Sequence, residues 1–176
     1  MNIQIGDYYN LEEKTIISRK EENGYEDQFF EKEEIKWRVL NKDEENRELL
    51  LISDKPTNQE IILSGKAGYE NAIKVLDKIC EEITGRPKVR NLNKEDIEKS
   101  KYWEDEEGIK AKLIFGENDD YYYWLASRGV SFSSSYAYFR VFYVYCSSVH
   151  ASYLYGSYDS VNGAGYAVRP VVIVKM

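Results

Sequence analysis

The chain predicts an α+β domain. Three observations carry this. A hairpin pattern opens the interpretable part of the chain, two segments of helical periodicity follow it, and the last third breaks into short strand patterns. Strands, then helices, then strands is the order of an α+β fold rather than of a regular βαβ alternation. At 176 residues the length suits one domain spanning 1–176 and suffices to bury a core. Within it we distinguish a strand/loop extension (1–33), a two-helix scaffold (34–120) and a Tyr/Ser-rich region with a closing strand (121–176).

The hairpin is "EIKWRVLNKDEENRELLLIS". Ile35, Trp37 and Val39 alternate with Lys36 and Arg38, the period of a half-buried strand. A polar turn from Asn41 to Arg47 leads into the apolar run Leu49–Ile52. The preceding "KEENGYEDQFFEKEE" reads as a solvated loop.

The main helix is "GYENAIKVLDKICEEITGRP". Ala72, Ile73, Leu76, Ile79, Cys80 and Ile83 recur at helical spacing, and Gly85 with Pro87 supplies a stop. "NLNKEDIEKS" predicts a second, short helix capped by Asn93, with Glu95 and Asp96 in its first turn, where the dipole favours anions. "YWEDEEG" and "FGENDD" read as acidic loops.

From Tyr121 the pattern becomes short strands: "YYYWLAS", "YAYFRVFYV", "ASYLYG" and "YAVRPVVIV". In the second, Ala137, Phe139 and Val141 alternate with Tyr138, Arg140 and Phe142, and Tyr143–Val144 breaks the alternation, predicting a bulge. Asn162-Gly163 is a turn signal. Pro170 cannot donate to a ladder, so the closing strand lies at an edge or is interrupted there. Trp124 and Leu125 are assigned to the core; Tyr121–Tyr123 fit either core or surface.

Charge is unevenly spread. Residues 1–120 carry 30 acidic and 20 basic side chains, whereas 121–176 carry one acidic and four basic. An acidic chain without a basic stripe is a poor partner for nucleic acid. No apolar run is long enough to insert into a membrane. No signal peptide is visible, so a cytoplasmic or phage-associated location is expected.

Signals for chemistry are sparse. His150 is the single histidine, which argues against a histidine-based zinc site. Ser127, His150 and Asp159 are the members available for a hydrolase triad, but no GxSxG elbow accompanies them. No phosphate-binding glycine loop occurs. The "GENDD" loop offers oxygen ligands without EF-hand spacing, and neither a metal nor another cofactor is expected. Cys80 reads as a small core residue, and Cys146 is not in a CxxC motif.

The Tyr/Ser stretch differs in kind. Residues 131–160 hold seven Tyr and nine Ser, and neither Lys nor Glu occurs from 121 to 168. Tyr gives large contact area at low entropic cost and Ser gives adaptable hydrogen bonding, the mixture that paratopes use. Strands favour Tyr in any case. That preference explains Tyr on a buried face, but not Tyr on both faces together with clustered Ser. The composition favours a ligand-binding surface.

Three segments, "IKWRVL…LLLIS", "GYENAIKVLDKIC…VRNLNKEDIEK" and "YYYWLASRGV…AYFRV…GYAVRPVVIV", resemble a family of bacterial and phage proteins. These are the variable proteins of diversity-generating retroelements, which have a C-type lectin-like fold. The formylglycine-generating type of that fold is their nearest structural relative. The resemblance runs from about Glu34 to Lys175. It implies a C-terminal cassette rewritten by reverse transcription that miscopies template adenines, scattering AAY codons into Tyr, Ser, Phe, His, Cys, Asp, Gly and Arg. Such residues here lie between Ala137, Phe139, Val141, Val149, Leu154 and the closing strand.

The ligand-binding residues expected on this reading are Ser133, Ser135, Tyr138, Arg140, Phe142, Tyr143, Tyr145, Ser147, His150, Tyr153, Tyr155 and Tyr158. The partner would be a protein or a glycan. The Glu-Pro-Asn and Trp-Asn-Asp motifs of calcium-dependent sugar binding are absent, so that activity does not carry over. Nor does the enzyme's oxidation, which uses a cysteine pair. Two other functions remain open: an assembly protein of a phage with the Tyr-rich face as its subunit interface, and an enzyme of the formylglycine-generating type.

Overall fold

The computed structural model describes residues 3–11, 30–156 and 162–176. The fold is α+β, with three helices and antiparallel sheets. The charged stretch read as a solvated loop lies largely outside the described residues, as do Tyr158 and Asp159.

The expected hairpin forms. Strand β2 (Trp37–Asp43) pairs antiparallel with β3 (Glu48–Ser53), and Leu40 bulges between the paired residues Val39 and Asn41. The bulge turns Leu40 as well as Val39 fully inward, each into a different core cluster. Both strands run further into the turn than the alternation suggested, and Ile35 lies before β2. The short β1 (Tyr8–Tyr9) adds to β2 at the sheet edge.

The closing segment is interrupted at the proline, as expected. Strand β9 (Gly163–Tyr166) ends before it and β10 (Pro170–Lys175) begins on it. The alternative of an edge position fails, because β10 is interior, between β3 and β5 (Arg90–Asn91), in the order β1-β2-β3-β10-β5. Pro170 is tolerated as the first residue of the strand, and valines at 171, 172 and 174 then fill the ladder with β3. Strand β9 pairs separately with β4 (Ile61–Ser64).

Helix α1 (Gly65–Thr84) is the long amphipathic helix, burying Ala72, Val75, Leu76, Ile79, Cys80 and Ile83 against the large sheet. Ile73, placed on that face by the sequence, instead points outward and is 39% exposed, and Val75 takes the inner position. Gly85 ends the helix in the left-handed region (φ 63°), where its N–H reaches the carbonyls of the last turn. Helix α2 (Lys94–Ser100) starts in a capping box. Asn93 Oδ1 accepts from Asp96 N at 2.8 Å and Asp96 Oδ2 accepts from Asn93 N at 3.1 Å. Asp96 also holds the Arg90 guanidinium bidentately at 2.5 and 2.8 Å, tying α2 to β5.

The expectation of two helices is corrected by α3 (Ile109–Phe115). The helix is only seven residues long, six of them between the two acidic loops, too short for a clear helical period. It forms because Leu113, Ile114 and Phe115 are buried beneath the second core cluster with Leu40, Ile52, Leu92 and Ile97. The "YWEDEEG" segment includes a single 3-10 turn, Tyr102–Glu104.

Candidate functional site

The Tyr/Ser region folds into a three-stranded antiparallel meander of β6 (Tyr122–Ser133), β7 (Tyr136–Tyr145) and β8 (Ser148–Gly156). Two irregularities fix how it sits on the scaffold. Between the pairs Trp124↔Tyr143 and Arg128↔Val141, β6 inserts Leu125, Ala126 and Ser127 opposite the single residue Phe142. Leu125 and Ala126 are buried there, Ala126 N donates to Leu92 O at 2.9 Å, and Ser127 Oγ accepts from Lys94 N at 2.9 Å. The bulge thus docks the meander on the start of α2. In β8, Leu154 is the extra residue opposite the Phe139–Arg140 step, and it is fully buried. The bulge expected at Tyr143–Val144 does not occur: these residues pair regularly with His150 and Val149. Their broken alternation reflects burial of Val144 and partial burial of Tyr143 on opposite faces.

Directly paired residues share a face of a sheet. The first face carries Arg128, Phe139, Val141, Tyr143, Tyr145, His150 and Tyr155. Most of it is covered. Tyr69 of α1 meets the rings of Phe139 and Tyr155 at 5.1 and 5.8 Å, and those two rings stack at 4.3 Å. Arg128 donates to Glu70 O at 2.9 Å, with its guanidinium over the Tyr69 ring. Further along, Tyr166 of β9 packs on Tyr122, Trp124 and Tyr143 at 4.3, 4.4 and 4.7 Å. Partial burial, followed by the neighbouring Tyr166 phenol, pushes the Tyr122 and Tyr143 phenols well above and above the usual tyrosine range, respectively. Tyr145 and His150 lie exposed at the rim, the imidazole Nε2 3.0 Å from Ser148 Oγ.

The second face carries Tyr138, Arg140 and Phe142 on β7, as the alternation predicted, flanked by Ser131 and Ser133 on β6 and Tyr153 on β8. At one end Tyr123 and Val144 dive into the second core cluster, where the Tyr123 hydroxyl donates to Ile114 O at 2.9 Å. Burial drives that phenol far above its ordinary pKa. Beyond them the face opens. Tyr138, Arg140, Phe142 and Tyr153 are half-buried, Tyr138 meets Tyr153 edge-on at 5.4 Å, and Lys94 Nζ lies 4.9 Å over the Phe142 ring.

The twelve expected binding residues are therefore not one surface. Ser133, Tyr138, Arg140, Phe142 and Tyr153 share the second face; Tyr143, Tyr145, His150 and Tyr155 share the first; Ser135 and Ser147 are exposed in the two hairpin turns; and Tyr158 lies outside the described residues. Residues not anticipated join both groups. Ser131 could have been found from its spacing with Ser133. Tyr69 and Lys94, which reach the sheet from helices distant in sequence, carry no local signal.

Core assignments are clear. Trp124 and Leu125 are fully buried, and Trp124 Nε1 donates to Ile61 O at 2.7 Å. The ambiguous tyrosines divide. Tyr123 is buried, Tyr122 is partly exposed, and the half-buried Tyr121 donates its hydroxyl to Asp54 O at 3.1 Å. Cys80 is buried on α1, where burial pushes its thiol well up, and Cys146 is exposed in the β7–β8 turn; both are free. Of the three candidate triad residues, Ser127 is engaged with Lys94, His150 with Ser148, and Asp159 lies outside the described residues. Among the described residues no group of three or more His, Cys, Asp or Glu is placed to hold a metal, and no helix is long and apolar enough to cross a membrane.

Comparison with known proteins returns no matching family model, no matching curated protein and no matching solved structure.

Proposed function

We propose that the chain is a non-enzymatic ligand-binding protein. In this reading a C-type lectin-like scaffold displays a diversified Tyr/Ser-rich surface, and the target is a protein or a glycan rather than nucleic acid. One observation carries the reading: strands β6 to β8 contain no Lys, Asp or Glu, and on their second face Tyr, Arg and Phe stand half-exposed with small Ser and Gly between them. Rigid aromatic anchors and an arginine among adaptable hydroxyls are what recognition surfaces concentrate. The lectin-like and retroelement parts rest on the resemblance of the three framework segments.

The test is to sequence the coding segment for residues 133–158 across a natural population. Substitutions should concentrate there and trace to adenines of a nearby template copy. A segment no more variable than the one encoding residues 34–120 would refute diversification and leave a fixed interface.

A second reading, a subunit interface, has one observation in its favour. The distal β6–β7 hairpin exposes Phe132 at 81% and Val130 at 41%. It calls for a stable oligomer. Sedimentation of a dilute monomer would count against it.

A further inference from the structure

We infer that the second face of the meander receives an acidic peptide segment, with one Asp or Glu carboxylate seated on Arg140. This deepens the reading above and rests on it.

The two arginines of the meander differ sharply. Arg128 is already spent, bonded to Glu70 O and laid over Tyr69. Arg140 makes no hydrogen bond or ion pair among the described residues; its contact is the Tyr138 ring at 5.9 Å. Its Nε is buried and unbonded. On the same face, one step away across the strands, Ser131 Oγ is also buried and unbonded. A buried donor left without a partner is destabilising. Arg140 therefore stands on a half-open face as a guanidinium with no acceptor among the described residues, and a bound acceptor would satisfy it.

The surroundings suit a single carboxylate. Opposite Arg140 the neighbouring strand has Gly129, and the Phe142 ring lies over it, 3.1 Å from where a Cβ would stand, so an aromatic wall flanks the guanidinium. The Arg fork matches a carboxylate bidentately. The Phe142, Tyr138 and Tyr153 rings around it favour apolar residues flanking the acid. Lys94, held over Phe142, adds a second positive charge at the edge. No carboxylate of β6–β8 competes for Arg140, whereas Lys94 is shared with Glu98 at 3.9 Å. A polyanion fits less well, because beyond Arg140 and Lys94 this face offers no further cation to match its charge.

The experiment uses a phage-displayed random heptapeptide library selected on the full immobilised chain. Enriched peptides should carry one Asp or Glu beside an apolar residue. Their binding, measured by fluorescence polarisation, should fall at least tenfold in R140Q, fall less in R140K, and be unchanged in the opposite-face variant S148A. Thermal melts establish that R140Q is folded. Independently of any variant, the Arg140 Nε–Hε resonance of the unmodified chain should shift on peptide addition. Enriched peptides without an acid, or equal binding by R140Q, would overturn the assignment while leaving the displayed-surface reading intact. A selection yielding no binding peptide would overturn it too. In that case binding on a printed glycan array would keep the surface reading with a sugar ligand, and silence in both would withdraw that reading as well.

Discussion

The scaffold and the meander solve the same physical problem differently. In the scaffold, key buried polar groups are engaged several times over, although Ser53 Oγ and the Nε and Nη1 of Arg169 are buried without a partner. Asn91 alone receives the Asp77 carboxylate on its N–H, donates to Trp124 O and accepts from Arg169 N. Asp96 caps α2 and pairs with Arg90. In the meander, contact is made chiefly by rings. A network of specific partners tolerates little substitution. Ring contacts tolerate exchange, since each adds only about 0.5–1.5 kcal/mol beyond area. The difference teaches that one fold can hold a region specified by directed partners beside a region specified by ring packing.

The largest effect should come where the two regions meet. Trp124 is fully buried, its Nε1 bonds Ile61 O, and its ring lies 4.4 Å from Tyr166. W124A should cost about 3–5 kcal/mol, read by urea unfolding. A cost near 1 kcal/mol would mean the meander is not anchored there. Next, N93A removes the acceptor for Asp96 N and should cost about 1 kcal/mol. Y145A, on the exposed rim, should cost within about 0.5 kcal/mol with an unchanged m-value, despite the loss of a ring contact to Tyr122 at 5.0 Å. A Y145A loss as large as that of W124A would erase the comparison.

The same contrast governs what could be read from the sequence. Helices α1 and α2 and the β2–β3 hairpin were legible because periodicity, capping and burial agree there. Helix α3 was not, because seven residues form it only under tertiary packing. The alternation in β7 placed Tyr138, Arg140 and Phe142 together. The bulges of β6 and β8 were invisible, since what sets them is docking: Leu125 and Ala126 against the scaffold, Leu154 into the core. The expected binding residues Tyr143 and Tyr155 lie on the face opposite Arg140, which the sequence left unassigned. Which face α1 and β9 cover is a long-range fact that no local pattern carries.

The smallest effects separate the two regions by pH. In the scaffold, burial raises the Asp77 carboxyl above its usual range, against the lowering by Asn91 N–H and Arg90. A raised folded pKa means that the folded state holds the proton more tightly. Stability is therefore greatest below the ordinary value of 3.8, declines as pH climbs through the raised value, and is level above it. D77N keeps an acceptor for Asn91 N–H and loses the ionisation, so it should flatten that decline and leave the chain slightly more stable at neutral pH. In the meander the groups that move are phenols. Burial raises Tyr122 and Tyr143 above the ordinary value of 10.0, so the unfolded chain ionises first as pH rises past it, and stability is lost only in alkali. Y143F should flatten the alkaline limb and leave the acid limb alone, and D77N should do the reverse. Tyr123, whose phenol is raised by full burial, adds to the alkaline limb from the junction itself. Thermal melts from pH 3 to 11 on both variants check this. An acid-limb change in Y143F would mean that the two regions do not titrate independently, and the division between a networked scaffold and a ring-packed meander would then have to be redrawn.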